Sequence, residues 1–326
     1  MPAHRTILVT GGAGYIGSHT VRALRAAGNE VVVVDSLELG DADAVLGAPL
    51  VVGNISDRSL LTSVFRDFDV TDVVHFAAYK SVGESMDSPG KYWRNNVSGT
   101  IELLEACREG GVERFVFSSS CSVYGTPERV PVTEAAPIAP ESVYAETKAT
   151  VERMLRWYGE TDGLRAVSLR YFNAAGASFD SRIGEDWGHS INLIPLAMKG
   201  ALLGESRLQV FGADYDTADG TCIRDYIHVD DLADAHVRAL DYLGEGGMTV
   251  EVNVGTGIGS SVLEVIRATE RACGRAVPHD VVARRPGDPV TTYADVTQAH
   301  AVLGWTSRFG LDDIVDTAYQ WHRKKL

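Results

Sequence analysis

The stretch Ile7-Leu8-Val9-Thr10-Gly11-Gly12-Ala13-Gly14-Tyr15-Ile16-Gly17 constrains the fold of this chain more than any other. Three apolar residues read as a buried strand. Gly12, Gly14 and Gly17 then satisfy G-x-G-x-x-G, and Gly11, Gly14 and Gly17 satisfy the wider G-x-x-G-x-x-G spacing. A helical pattern from Tyr15 to Ala27 follows directly. Glycines between a strand and a helix permit a sharp turn, let backbone approach a pyrophosphate, and pack the helix on the strand. The helix N-terminus offers amide hydrogens to the same anion. A second buried strand, Val31 to Val34, ends at Asp35. A carboxylate there accepts from both hydroxyls of an adenosine ribose and repels a 2′-phosphate, so NAD is expected over NADP.

The same alternation continues. Apolar strands are expected at Leu50–Val52, Val73–Phe76, Phe115–Phe117 and Ala166–Leu169, with helices at about Arg58–Phe68, Tyr92–Glu109 and Val143–Tyr158 between them. Continuous apolar strands separated by helices imply a parallel sheet covered on both faces. The expected class is α/β: a doubly wound parallel sheet of Rossmann type with a second, smaller α/β lobe for substrate. From Ala174 the pattern loosens, and Gly184 to Asn192 and Gly212 to Thr221 read as Gly-rich loops. Val229–Leu243 regains a helical period and Thr249–Val254 reads as a strand. The division expected is 1–173 with 226–254 rejoining it, against 174–225 and 255–326.

Bulk properties remove several classes of function. The net charge of −14 argues against a nucleic-acid binder. Four cysteines contain no C-x-x-C pair, so no metal site and no disulfide framework are expected, and a reducing cytoplasm fits. No apolar run reaches the ~18 residues of a membrane span, and the first apolar stretch is too short for a signal peptide.

Chemistry is legible in two further segments. Tyr144-Ala-Glu-Thr-Lys148 places a phenol and an ammonium on one helix face. A phenol with a pKa of ~10 is a poor base alone. A neighbouring ammonium stabilises the phenolate, which can then take a proton from a hydroxyl while hydride leaves the same carbon. Phe117-Ser118-Ser119-Ser120-Cys121-Ser122 begins as a buried strand and breaks into hydroxyls, where ligands of doubly wound sheets bind.

Several blocks together resemble the UDP-glucose 4-epimerase family of extended short-chain dehydrogenases: GGAGYIGS (11–18), HFAAYKSVGES (75–85), NNVSGT (95–100), RYFNAAGA (170–177), DGTCIRDYIHV (219–229) and RRPGD (284–288). The resemblance runs essentially end to end. It implies Ser120, Tyr144 and Lys148 as the catalytic group. It implies an NAD site of Gly11, Gly12, Gly14, Tyr15, Ile16, Gly17, Asp35, Ser36, Asn54, Ile55, Phe76, Ala77, Ala78, Lys80, Asn95, Ser118, Tyr144, Lys148, Tyr171 and Phe172. For the UDP-sugar it implies Lys80, Ser120, Tyr144, Asn173, Asn192, Leu193, Gln209, Val210, Phe211, Arg224, Arg285, Asp288 and Thr292. The chemistry of Arg224 and Arg285 suits a diphosphate in its own right.

The implied activity is reversible inversion at carbon 4 of a UDP-hexose through a 4-keto sugar, with tightly bound NAD ending as it began. A homodimer through the helices at Tyr92–Glu109 and Val143–Tyr158 is also implied. This chain departs from the family pattern at Ser36 (usually Asn), Asn54 (usually Asp) and Ala145 (commonly Gly), and in a short segment between Asp35 and Gly53. Thr292 stands where the family has a gate, bulky Tyr in members restricted to glucose and galactose and small in members that take N-acetylhexosamines. Thr292 therefore predicts use of both. Related dehydratases and decarboxylases need a carboxyl beside the Ser, and Cys121-Ser122 supplies none. A UDP-pentose or UDP-uronic acid 4-epimerase, a reductase releasing NADH, and a non-catalytic NAD-binding regulator remain as alternatives; the last would be expected to lose Tyr144 or Lys148, and both are present.

Overall fold

The structure is a computed structural model describing residues 5–188, 190–204, 207–285 and 287–326. Its strands are β1 (Thr6–Thr10), β2 (Glu30–Asp35), β3 (Leu50–Val52), β4 (Asp72–His75), β5 (Arg114–Ser118), β6 (Arg165–Tyr171), β7 (Asn173–Ala175), β8 (Leu208–Phe211), β9 (Ile223–His228), β10 (Val250–Val254), β11 (Gly259–Ser261), β12 (His279–Val282) and β13 (Thr291–Thr292). The helices are α1 (Tyr15–Ala26), α2 (Arg58–Asp67), α3 (Val82–Asp87), α4 (Pro89–Tyr92), α5 (Gly99–Gly110), α6 (Val143–Asp162), α7 (Leu193–Leu203), α8 (Val229–Gly244), α9 (Val262–Cys273), α10 (Thr297–Leu303) and α11 (Leu311–Arg323).

Seven strands form one parallel sheet in the order β10-β6-β5-β4-β1-β2-β3. The chain starts in the middle at β1, moves outward to β2 and β3, and returns to the other side at β4. The crevice between the ends of β1 and β4 is thus the topological switch point, the place where such sheets bind ligands. Two apolar layers cover the sheet because its strands are apolar on both faces. Ile7, Val9, Val33, Val167 and Val252 pack against α8 residues such as Leu232 and Leu240 on one side. Leu8, Val32, Val73 and Phe115 pack against Leu61, Leu103, Leu104 and Leu155 on the other. Trp305, Ala299 and Leu303, in the stretch ascribed to the second lobe, lie in the first of these layers.

The other strands are shorter. β7, β9, β11 and β13 make a small sheet, β9 pairing with each of the others, and β8 pairs with β12. Helices α7, α9 and α11 cover them through Ile194, Met198, Val265, Ile314 and Val315. Among the described residues no helix is long and apolar enough to cross a membrane, no group of His, Cys, Asp or Glu is arranged to hold a metal ion, and all four cysteines are free.

One expected helix differs. Tyr92–Glu109 is not continuous: a π-helical turn, Trp93–Ser98, stands between α4 and α5. The wider turn goes with a side-chain demand. Asn96 uses its amide on the backbone of Tyr79, accepting from its N–H at 2.9 Å and donating to its carbonyl at 3.0 Å, and also reaches Thr147 on α6 at 3.2 Å. Such turns cluster at functional sites, and Asn95 beside it lines the main cavity. Within the expected loops and the RRPGD block, His189 and Pro286 lie outside the described residues.

Candidate active site

A cavity of about 720 Å³ runs along the switch point from the glycine loop to the Tyr144–Lys148 pair. Its floor is built by backbone approach. Gly11 has φ +72°, and a Cβ there would lie 2.6 Å from the amide nitrogen of Ala77 after β4. A Cβ on Gly17 would lie 2.2 Å from the Gly11 carbonyl oxygen. Helix α1 starts at Gly14 with no side-chain cap and no acidic residue in its first turn. Its first helical bond runs from the Ser18 amide to the Gly14 carbonyl, so the amides of residues 15–17 are left for an anion. At the end of β2 Asp35 accepts from the backbone amides of Ala13 (3.0 Å) and Leu37 (2.9 Å), which fixes the carboxylate at the cavity wall. A carboxylate has about four lone-pair sites, so two remain for a ribose. These residues fit a dinucleotide with an unphosphorylated adenosine ribose.

Strand β5 ends at Ser118, and its three serines diverge. Ser118 Oγ pairs with the Tyr171 hydroxyl at 2.9 Å. Ser119 turns inward and donates to Glu152 at 2.6 Å. Ser120 Oγ accepts from the amide (3.2 Å) and hydroxyl (2.9 Å) of Ser122. Helix α6 starts at Ser142, whose hydroxyl accepts from the Ala145 amide, and Ser85 accepts from the amide of Tyr144. Lys148, one turn on, donates to the Ser118 carbonyl at 2.6 Å. Its ammonium lies 5.9 Å from the centre of the Tyr144 ring.

Burial raises the Tyr144 phenol well above its ordinary range, with Tyr171 adding to this and Ser120 pulling it down. Burial lowers Lys148 to about 7, against the upward pull of Glu152. Glu152 itself sits in a fully buried pair with Arg170, at 3.0 and 2.7 Å, both side chains 2% exposed. His75 bridges Thr10 (2.7 Å) and Thr100 (2.9 Å) beneath the cavity, and burial first, then Lys148, lowers it to about 3, so the imidazole is neutral.

The cavity wall brings together Gly11, Gly14, Tyr15, Ile16, Gly17, Asp35, Ser36, Asn54, Ile55, Phe76, Ala77, Ala78, Lys80, Asn95, Ser118, Tyr144, Lys148 and Tyr171. Two expected cofactor residues stand apart. Gly12 faces the sheet, where a Cβ would meet Val33 at 2.8 Å. Phe172 is buried among Val123, Tyr124, Val132 and Ala149.

Apart from Lys80 and Tyr144, the expected substrate residues, Ser120 included, lie outside this cavity, with Asn173, Arg224 and Thr292 on the small sheet. β13 pairs with β9 so that Thr292 sits opposite Arg224. Arg224 approaches Asp288 at 3.6 Å, and the Arg285 guanidinium lies 4.2 Å from the Phe211 ring centre. Asp225 accepts from the amides of Thr256, Gly257 and Ala294, tying the segment after Thr292 to the strand bearing Arg224. Asn173 donates to the Asp225 carbonyl at 3.0 Å. Asn192 is the N-cap of α7, which Leu193 begins. Along β8, Gln209 is exposed, whereas the Val210 side chain is core, packed with Ala197, Ile266 and Val277. The Thr292 hydroxyl is buried with no partner among the described residues.

Sequence reading missed part of the cavity wall: residues 37–44, and Arg182, Glu185, Asp186, Ser190, Trp321 and Lys325. The Gly184-Glu185-Asp186 segment carried a signal as a polar Gly-rich loop beside an expected substrate residue. Trp321 and Lys325 carried none, since a C-terminal helix has no local mark of what it meets.

Comparison with known proteins gives the family and agrees with the fold. The NAD dependent epimerase/dehydratase family matches residues 7–255. A UDP-glucose 4-epimerase of Rhizobium meliloti is 47% identical over 322 residues, covering 99% of this chain and 98% of its own, and one of Bacillus subtilis is 43% identical over 330 residues, covering 98% and 97%. A crystal structure of the enzyme from Stenotrophomonas maltophila, with bound NAD and formylated UDP-arabinopyranose, superposes with a TM-score of 0.96 at 42% identity over 99% of both chains. Fold, family match and full-length identity converge, and the chain belongs to the NAD dependent epimerase/dehydratase family.

Proposed function

We propose that this protein catalyses reversible epimerisation at carbon 4 of a UDP-hexose, interconverting UDP-glucose and UDP-galactose, with NAD held in the switch-point cavity. The observation that carries this reading is the Tyr144–Lys148 pair at one end of a cavity whose other end is a glycine cradle facing Asp35, with Ser120 acting on the Tyr144 phenol from behind the cavity wall. Relatives named UDP-glucose 4-epimerase at 43–47% identity support it over its full length.

When bound, NAD supplies a reversible hydride acceptor for the sugar carbon. The chain supplies the rest. Tyr144 takes the proton of the 4-hydroxyl and returns it, and Ser120, which pulls the pKa of that phenol down, bridges to the sugar hydroxyl. Lys148 stabilises the phenolate with its ammonium, which the Ser118 carbonyl anchors. Arg224 and Arg285 suit the diphosphate, Asp288 and Phe211 the nucleoside, and Asn173, Asn192, Leu193 and the Gln209–Val210 backbone the remaining UDP contacts. Strong holding of UDP and weak holding of the hexose let the 4-keto sugar turn its other face before reduction. Gly12 belongs to this reading as the residue that seats the loop on the sheet, and Phe172 as packing behind the catalytic helix.

Thr292, small and beside Arg224, supports acceptance of UDP-N-acetylgalactosamine as well. We assign residues 1–173, 226–254 and the stretch around Trp305 to the NAD unit, and the rest to the UDP-sugar unit. Exposed Trp93, Ile101 and Trp157 on the π turn, α5 and α6 support a homodimer through those helices, and four free thiols support a cytoplasmic setting. Incubation of the purified protein with UDP-galactose and UDP-N-acetylgalactosamine, no cofactor added, and proton NMR of the products tests the whole reading. Both 4-epimers are expected. No conversion even with added NAD would overturn it.

A further inference from the structure

Glu185 is a carboxylate inside the cavity that the proposed chemistry does not use. Its side chain is 6% exposed. One oxygen, Oε1, accepts from three donors: Asn192 Nδ2 at 2.7 Å, Ser190 Oγ at 2.8 Å and Lys80 Nζ at 3.4 Å. The residue is fixed from behind as well, since its carbonyl accepts from Trp321 Nε1 of α11 at 2.8 Å. Lys80 follows β4 on the wall of the NAD cavity, whereas Asn192 opens helix α7. Glu185 is therefore the point at which the two halves of the site are joined by side chains.

The bond to Asn192 has a consequence for α7. An Asn at an N-cap ordinarily turns its side-chain oxygen onto an amide of the first turn. Asn192 has N-cap backbone angles, φ −73° and ψ 151°, but makes no such bond. Its carboxamide is drawn to Glu185 instead. Pro195 in the first turn has no N–H, so the free amides are those of Leu193 and Ile194. An N-cap side chain reaches the amide of the second or third helical residue; the third is Pro195, so it is the Ile194 amide that stays open to an anion only while Asn192 is held away from it.

We infer that Glu185 is a positioning residue for the diphosphate of the nucleotide sugar, acting through Asn192, which it holds so that the N-terminus of α7 stays uncapped. The inference rests on the functional reading above, because it needs a UDP-sugar at that helix end.

The test is UDP binding to the NAD-loaded protein, measured by titration calorimetry on Glu185→Ala, Asn192→Ala, the double variant and Glu185→Gln. Glu185→Ala is expected to weaken UDP binding by about tenfold, the order of one charge-assisted hydrogen bond. Adding it to Asn192→Ala should weaken binding no further, because the two act as one unit. Glu185→Gln, whose Oε1 still accepts from Asn192 and Ser190, should restore affinity to within about threefold of wild type. Should the alanine variant fail to fold, Glu185→Met keeps the bulk and removes the acceptor. UDP affinity unchanged in Glu185→Ala or Glu185→Met, full additivity with Asn192→Ala, or no rescue by Gln would each overturn the inference. Wild-type protein that binds no UDP would overturn the functional reading itself, a result distinct from any of these.

Discussion

Removing Glu152 should cost this protein more than removing any exposed carboxylate, and the structure says why. Glu152 and Arg170 are each 2% exposed and face one another bidentately at 3.0 and 2.7 Å. Ser119 donates to the same carboxylate at 2.6 Å, and the Tyr124 hydroxyl accepts from the third guanidinium nitrogen at 2.9 Å. Burial pulls Arg170 down, but the hydrogen bonds and charge of Glu152 outweigh it and hold the guanidinium above its ordinary range. Glu152→Ala would leave that cation buried and unpaired. Breaking a buried pair from one side costs about 3–5 kcal/mol, whereas replacing both partners with apolar residues is often close to neutral. Glu152→Ala should therefore lose about 3–5 kcal/mol of unfolding free energy in urea, and Glu152→Leu with Arg170→Met should lose clearly less than that single change. A single-variant loss below about 1 kcal/mol, or a double variant as damaged as the single, would refute the reasoning.

Four other outcomes are expected. Gly17→Ala places a Cβ 2.2 Å from the Gly11 carbonyl and 2.9 Å from the Gly12 Cα, both backbone atoms of the cradle; the purified variant should carry little NAD, read from its absorbance ratio, and wild-type NAD content would contradict the cradle. Tyr144→Phe should lower turnover by about 10²–10⁴-fold while UDP still binds, the order expected for one proton-transfer group; turnover near wild type would remove Tyr144 as the base. Lys148 has a folded pKa of about 7 against an ordinary 10.5, so the unfolded chain binds the extra proton between those values. Its contribution to stability is complete above 10.5 and is lost as pH falls to 7; Lys148→Met should flatten unfolding free energy against pH in that window, and an unchanged slope would count against the burial argument. Thr292→Tyr should abolish conversion of UDP-N-acetylgalactosamine and spare UDP-galactose; equal loss of both would end the gate's role.

The expected π-free helix at 92–109 shows where pattern reading stops. Residues 93–98 carry an ordinary amphipathic spacing, and only the backbone of Tyr79 and the hydroxyl of Thr147, far away in sequence, tell Asn96 where to go. The Glu152–Arg170 pair shows the same limit. Glu152 reads as a polar helix residue one turn after Lys148, and Arg170 as the charged start of RYFNAAGA. Neither position reveals that both are buried.

What the sequence determined by itself was the apolar runs that become parallel strands, the glycine cradle, Asp35 at the end of β2 and the Tyr144–Lys148 face, because each rests on residues within one turn, strand or helix of one another. Backbone sterics and side-chain period act at that range. The tertiary structure alone decided that Arg182, Glu185, Trp321 and Lys325 join the cavity, that Phe172 and the Val210 side chain turn to the core, and that Thr292 lies opposite Arg224. Those placements depend on how α11 packs with α7 and α9 over the small sheet, and on which strands pair there. Packing of that kind is set by the summed burial of distant surfaces, which no local stretch of residues encodes.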